Sequence, residues 1–314
     1  MSTIRVLPHR DMWLPGETLR GTVALRADRP VRARGVRLRF RGQEETRVTH
    51  GSGKNRHTHR EHVQLIDTEI TFAGEERITD ALEGFGDAVR ALFGGDDYLQ
   101  IPAGDQSFDF EIALPQSCTV SFEGKCAKVT YELLGYVDVP AGSDVKDARP
   151  VYVLPPPVAK LEQRPVAIDY PDGGHSWGVF EGLRAALAPN VRMRTELPQA
   201  TYAVGDAVRG TVSVWNESEA RIRRVGVSLI AQEDARAGHA KAQVTDAVDQ
   251  ADFPAPVLRD FGIDFALRIP PNVHPSTAGS FFTYNWAVKV WLDIAWQFDV
   301  VSVVPIVVLA AGRT

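Results

Sequence analysis

The sequence predicts an all-β protein made of two tandem immunoglobulin-like β-sandwiches, with one amphipathic helix inserted in the first. Three observations predict this. The first is a repeat: "WLPGETLRGTVAL" at residues 13–25 returns as "YAVGDAVRGTVSV" at residues 202–214. The offset of 189 residues holds without a gap from Trp13 on Tyr202 to Glu44 on Glu233. Ten of these 32 positions agree, where chance would give about two. A period this long marks a duplicated domain, since solenoid units repeat every ~20–50 residues. The second observation is period-2 hydrophobicity in both copies. The third is turn chemistry at short intervals, which bounds many short strands.

In the first copy, Pro15-Gly16 starts "LRGTVAL", and Asp28-Arg29-Pro30 separates it from "RGVRLRF". There Val36, Leu38 and Phe40 alternate with Arg37, Arg39 and Arg41, as on a strand with one apolar and one basic face. Gly51 and Gly53 mark a hairpin tip within "THGSGKNRHTHREH". Residues 79–93 place Leu82, Phe85, Val89, Leu92 and Phe93 at helical spacing, with Thr79 or Asp80 as cap and Gly94-Gly95 beyond. "FDFEIALP" (108–115) and "VTYELLGYVDVP" (129–140) continue as strands, with a turn at Gly124. Pro155-Pro156-Pro157 closes the domain, which spans 1–155. A connector covers 156–190, with a loop and a short helix, and the second domain spans 191–314. In that domain "FGIDFALRIPP" (261–271) stands for the earlier strand. At 284–299, Tyr284, Trp286, Val288, Val290, Leu292, Ile294, Trp296 and Phe298 share one parity and are expected in the core. The apolar run 300–312 is too short to span a bilayer and reads as a buried strand.

Composition narrows the function. A net charge of −5 and a pI near 5.9 argue against nucleic-acid binding. Two cysteines in 314 residues suggest a reducing compartment, and Cys118 and Cys126 are expected to be unpaired thiols flanking a turn. The first 13 residues lack the apolar core of a signal peptide, so a cytoplasmic location is expected, with no transmembrane segment. No glycine-rich loop stands between a strand and a helix at the required spacing, and no nucleophile is poised. Neither an enzyme nor a cofactor is expected, and there are no catalytic residues to name.

Two candidate sites stand out. Arg37, Arg39 and Arg41, joined by Arg5 and Arg10, could hold phosphates or an acidic peptide through bidentate contacts. The alternative is a sheet face neutralised by nearby Asp and Glu. The hairpin loop carries His50, His57, His59 and His62, of which His57, His59 and His62 are the candidate metal ligands, against the alternative of a solvated tip.

Six motifs, in order, resemble the arrestin family. "PGETLRGTV", "IPAGDQSFDFEIALP" and "SFEGKCAKVTYELLGYVDVP" are similar to the arrestin N-domain. "YAVGDAVRGTVSVWNES", "LRIPPNVHPST" and "YNWAVKVWLDI…VVPIVV" are similar to the C-domain. The resemblance implies arrestin-type sandwiches and a non-enzymatic adaptor or scaffold in trafficking or signalling. Its partner would be a protein or peptide, such as a membrane-protein tail or an acidic or phosphorylated segment. Strand addition at a sheet edge or capture in an interdomain crevice would hold it. Arg10 and Asp11 fall on the family's Arg-Asp pair, which implies an interdomain charge role for Asp11. The cluster arginine has no counterpart in "VYVLPPP", and the paired aspartates have none near 240–260. Few residues follow the last strand, so the family's autoinhibitory tail and receptor desensitisation are not expected. The many Ala and Arg are compatible with a bacterial member. A bacterial sporulation or stress regulator of arrestin type is the alternative function.

Overall fold

A computed structural model describes residues 2–51, 55–74, 98–140, 144–157, 161, 163–171, 190–218, 220–297 and 299–311. The sequence-predicted helices at 79–93 and within 172–189 lie outside the described residues. All regular structure among the described residues is β. The chain divides into two compact units. One holds Met1–Glu45, His62–Glu123 and Lys128–Leu154; the other holds Thr46–Glu61, Gly124–Ala127 and Pro155–Thr314.

The strands of the first half are β1 (Thr3–Pro8), β2 (Met12–Trp13), β3 (Thr18–Ala27), β4 (Val31–Ala33), β5 (Gly35–His50) and β6 (His57–Gly74). They continue as β7 (Leu99–Ile101), β8 (Gly104–Ala113), β9 (Phe122–Glu123), β10 (Ala127–Asp138) and β11 (Val145–Val153). One sheet runs β1-β3-β8. The other runs β2-β11-β10-β5-β6, with β9 beside β10. Alternation aims one set of side chains inward: Val6, Leu19, Val23, Leu38, Phe40, Phe110 and Leu133 are all buried. The two sheets meet closely. A Cβ on Gly135 of β10 would lie 2.6 Å from Val6 of β1, and Phe72 of β6 stacks on Phe108 of β8.

The second half holds β12 (Val166–Tyr170), β13 (Val191–Leu197), β14 (Thr201–Ala203), β15 (Ala207–Asn216), β16 (Ile222–Ala237), β17 (Ala240–Pro254), β18 (Asp260–Arg268), β19 (Thr277–Ala278), β20 (Phe282–Ile294) and β21 (Val300–Leu309). Its sheets run β12-β13-β15-β18 and β14-β21-β20-β16-β17, with β19 beside β20. Met193, Val212 and Leu267 from one sheet and Val227, Trp286 and Val304 from the other share a single core. The segment read as a connector contributes β12, which pairs antiparallel with β13. Pro305 is tolerated inside β21 because it is exposed and lies short of the stretch that pairs with β14.

The repeat extends to individual hydrogen bonds. Gly16 (φ +83°) and Gly205 (φ +92°) take the left-handed turn that other residues avoid. In each turn the next residue closes a backbone bond: Glu17 N–H to Leu14 O and Asp206 N–H to Ala203 O, both 3.1 Å. Its carboxylate also accepts the earlier N–H, Leu14 to Glu17 at 2.7 Å and Ala203 to Asp206 at 2.8 Å. In "RGTV", Gly21 pairs with Phe110 and Gly210 with Phe265. A Cβ at either glycine would lie 2.7 Å from the ring. Thr22 donates to Asp109 and Thr211 to Asp264. Later bonds repeat at an offset of 155. Tyr131 OH donates to Thr119 O and Trp286 Nε1 to His274 O, while Val153 N donates to Ser121 Oγ and Val308 N to Ser276 Oγ. The first copy is therefore 34 residues longer between Glu44 and Asp109, the span that contains the segment read as a helix.

One sequence expectation is corrected. Trp296 is fully exposed (102%), whereas Trp286 is buried. β20 ends at Ile294 and the chain turns at Ala295 and Trp296, so strand parity stops applying there; Phe298, expected in the same core row, lies outside the described residues. Trp296 itself has φ +63°.

Candidate partner-binding site

The basic face of β5 is built, but its charge is answered within the first unit. β5 is a central strand and its first residues are buried on both faces, so Arg37 is only 3% exposed. Its Nη1 donates to Asp138 Oδ2 at 2.9 Å, and Glu69 lies 3.6 Å from its Nε. Arg34 joins Asp138 from the other side at 3.6 Å, and Tyr136 OH donates to Glu69 at 2.7 Å. Arg39 makes a two-pronged pair with Asp67, Nε to Oδ1 at 2.6 Å and Nη2 to Oδ2. That hydrogen bonding holds the Asp67 carboxyl below the usual carboxylate range and raises Arg39, against the opposing effect of burial. Arg41 is half-buried, and its Nε is buried without a hydrogen bond among the described residues. A buried charge needs such partners. Arg37 and Arg39 are thus matched by carboxylates from β6 and the end of β10.

Arg10 is the accessible member of the set. Its guanidinium lies 2.6 Å from Glu17 and 4.0 Å over the Trp13 ring, and the Trp13 indole N–H donates to Arg10 O. Asp11 is exposed and makes no ion pair among the described residues; its carbonyl accepts from Tyr152 N.

The sheet edges are partly guarded. β1 pairs only with β3, and its free Val6 N–H donates to Asp147 Oδ2 at 2.9 Å. Arg149 lies 3.2 Å from the same oxygen. In the second unit the edge strand β18 is treated alike: Arg268 N–H donates to Asp249 Oδ2 at 2.6 Å. Side chains that occupy edge amides prevent unspecific pairing.

Two features of the second unit carry no sequence expectation. Glu233, 3% exposed, accepts three successive N–H groups of the 125–127 turn: Lys125 at 2.7 Å, Cys126 at 2.8 Å and Ala127 at 2.7 Å. Its identity with Glu44 across the repeat is the signal that marks it in the sequence. His239 sits edge-on to His59, ring centroids 5.0 Å apart. His59 stacks on His50 at 5.0 Å, and His57 lies 6.0 Å from His50. His62 has the opposite strand parity from His57 and His59 and belongs to the first unit. Among the described residues no three metal-ligating groups converge as they stand. Both thiols are free and are raised chiefly by burial; Glu233 adds to the effect at Cys126. Among the described residues no helix is long and apolar enough to cross a membrane.

Comparison with known proteins agrees with this architecture. The family model described as "Arrestin (or S-antigen), N-terminal domain" matches residues 3–158, and the one for the C-terminal domain matches 189–311. The chain is 25% identical over 230 residues to "Arrestin domain-containing protein 1" of Mus musculus. The aligned region covers 72% of this chain but only 45% of the mouse protein, so this chain spans about half of that relative's length. With two sandwiches that repeat each other's turns and hydrogen bonds, and both domain models matched in tandem, the chain belongs to the arrestin family.

Proposed function

We propose that this protein is a non-enzymatic adaptor in trafficking or signalling that captures an acidic or phosphorylated segment of a partner protein at the edge of β1. The observation that carries this reading is the Asp147 carboxylate on the Val6 N–H. It supports an edge that accepts anionic groups, with Arg5 exposed on the strand and Arg10 just past its end. A partner strand with acidic side chains would take the place of Asp147, make main-chain bonds to β1 and place charge near Arg5, Arg10 and Arg149. Arg37 and Arg39 would act indirectly, holding β5 and its neighbours in place, since their own carboxylate partners neutralise them. The membership in the arrestin family supports the adaptor role in general.

The test is binding of an acidic or phosphorylated peptide, followed by capture of partners from native lysate. Arg5→Glu with Arg10→Glu should weaken binding, and Asp147→Asn should strengthen it by weakening the internal competitor. Equal binding by all three proteins would refute the β1-edge reading.

A further inference from the structure

We propose that His50, His59 and His239, with His57 beside them, form a site for a divalent transition-metal ion of the zinc type. This is independent of the partner-binding reading, and it differs from the trio His57, His59 and His62 that the hairpin sequence alone suggests.

The strand geometry assembles the site. Thr49 and Thr58 hydroxyls are 3.0 Å apart, so residue 49 faces 58 across the hairpin, and 50 therefore faces 57. His50, His57 and His59 project from one face. The same face carries Thr46 and Glu61, which seat the β16–β17 turn: Thr46 Oγ1 donates to Arg236 O at 2.6 Å, and Gly238 N donates to Glu61 Oε2 at 2.8 Å. Those two bonds hold His239 against His59. Thr58, Arg60 and His62 lie on the other face, which removes His62 from the site.

The spacing suits shared ligation. Zinc–imidazole bonds of about 2.0–2.1 Å at tetrahedral angles place two ligating ring centroids about 5 Å apart. The neighbouring centroids here are 5.0 Å (His50–His59), 5.0 Å (His59–His239) and 6.0 Å (His50–His57) apart, a chain of rings with His59 between His50 and His239. Their planes are at present stacked (11°) or edge-on (70°), so ligation requires side-chain rotation to aim a nitrogen of each ring at a common point. The exposed positions of His50, His57 and His239 leave room for that rotation. Imidazole is a preferred ligand for Zn²⁺, Cu²⁺ and Ni²⁺ and binds as the neutral ring. A bound ion would staple the 46–61 hairpin to the 237–240 turn.

The experiment uses the full chain with a tag free of histidine, treated with a chelator and titrated with zinc chloride by calorimetry. The expected result is one equivalent bound, at least ten-fold weaker binding in His50→Ala/His59→Ala and in His59→Ala/His239→Ala, and unchanged binding in His62→Ala. Thermal unfolding of the metal-free variants should match the wild type, because these rings are mostly exposed; added zinc should raise the melting temperature of the wild type only. No zinc uptake by the wild type, equal uptake by the double variants, or loss in His62→Ala would each overturn the proposal.

Discussion

Replacing Glu233 with alanine removes the acceptor for three consecutive backbone N–H groups. Hydrogen bonds to a charged partner contribute about 1.5–3 kcal/mol each, so the simple sum is about 5–9 kcal/mol. That sum is too large, because turn amides at 125–127 regain water when the carboxylate is gone and bonds to one group are not additive. Loss of one member of a buried, hydrogen-bonded charge interaction costs about 3–5 kcal/mol, which is the expected value for Glu233→Ala. Glu233→Gln should cost less, about 2 kcal/mol. Its amide oxygen can still serve Cys126 and Ala127, which share Oε1, but its NH₂ would face the Lys125 N–H that now points at Oε2. The control is Asp246→Ala, which deletes only the exposed pair with Lys125 and should cost at most about 1 kcal/mol. Urea unfolding, with the transitions of the two units fitted separately where they resolve, gives the ordering Ala, Gln, control. Hydrogen exchange at residues 125–127 should speed up in the first variant. If Glu233→Ala unfolds within about 0.5 kcal/mol of the wild type, or exchange at the turn is unchanged, the carboxylate does not hold the turn and the reasoning fails.

Three further outcomes can be checked by the same denaturation assays. Arg39 holds Asp67 below its unfolded value of about 3.9, so the pair stabilises the fold above that pH and the contribution disappears as pH falls through the lower folded value; the stability gap between wild type and Asp67→Asn should narrow between about pH 5 and pH 2, and a constant gap would contradict the pairing. Gly21→Ala and Gly210→Ala each drive a methyl into a phenylalanine ring and a backbone oxygen, costing about 1–3 kcal/mol, and the two should cost similar amounts because their surroundings repeat. Tyr202, whose buried hydroxyl has no hydrogen-bond partner among the described residues and whose pKa is pushed up to about 12 chiefly by burial, should tolerate Tyr202→Phe or gain up to about 1 kcal/mol, whereas Tyr131→Phe forfeits the bond to Thr119 and should lose about 1 kcal/mol.

Much of the fold is visible in the residues because period-2 patterning and turn chemistry are local properties. The Gly16 and Gly205 turns, the "RGTV" strands and the "FDF" and "DFA" strands beside them follow from residues within a few positions of one another. The places where sequence reasoning departs from the structure depend on distant residues. Arg37 and Arg39 read as a basic face until Glu69, Asp67 and Asp138, 28 to 101 residues away, are brought across the sheet. β12 carries weak alternation of its own and becomes a strand by pairing with β13. Trp296 fits the parity of the preceding strand, yet chain reversal begins just before it. His239 stands alone in the sequence and meets the hairpin histidines only through the fold.

Trp296 also provides an optical label at a known place. Trp13 and Trp286 are buried, while the indole of Trp296 stands in water at the β20–β21 turn. Dynamic quenchers such as acrylamide therefore reach it before Trp13 and Trp286, and its emission belongs to the red edge of the spectrum. Whatever comes to rest on that turn will shift this component to the blue and shield it, with no dye attached, while the buried Trp13 and Trp286 keep their own emission toward the blue side of the spectrum.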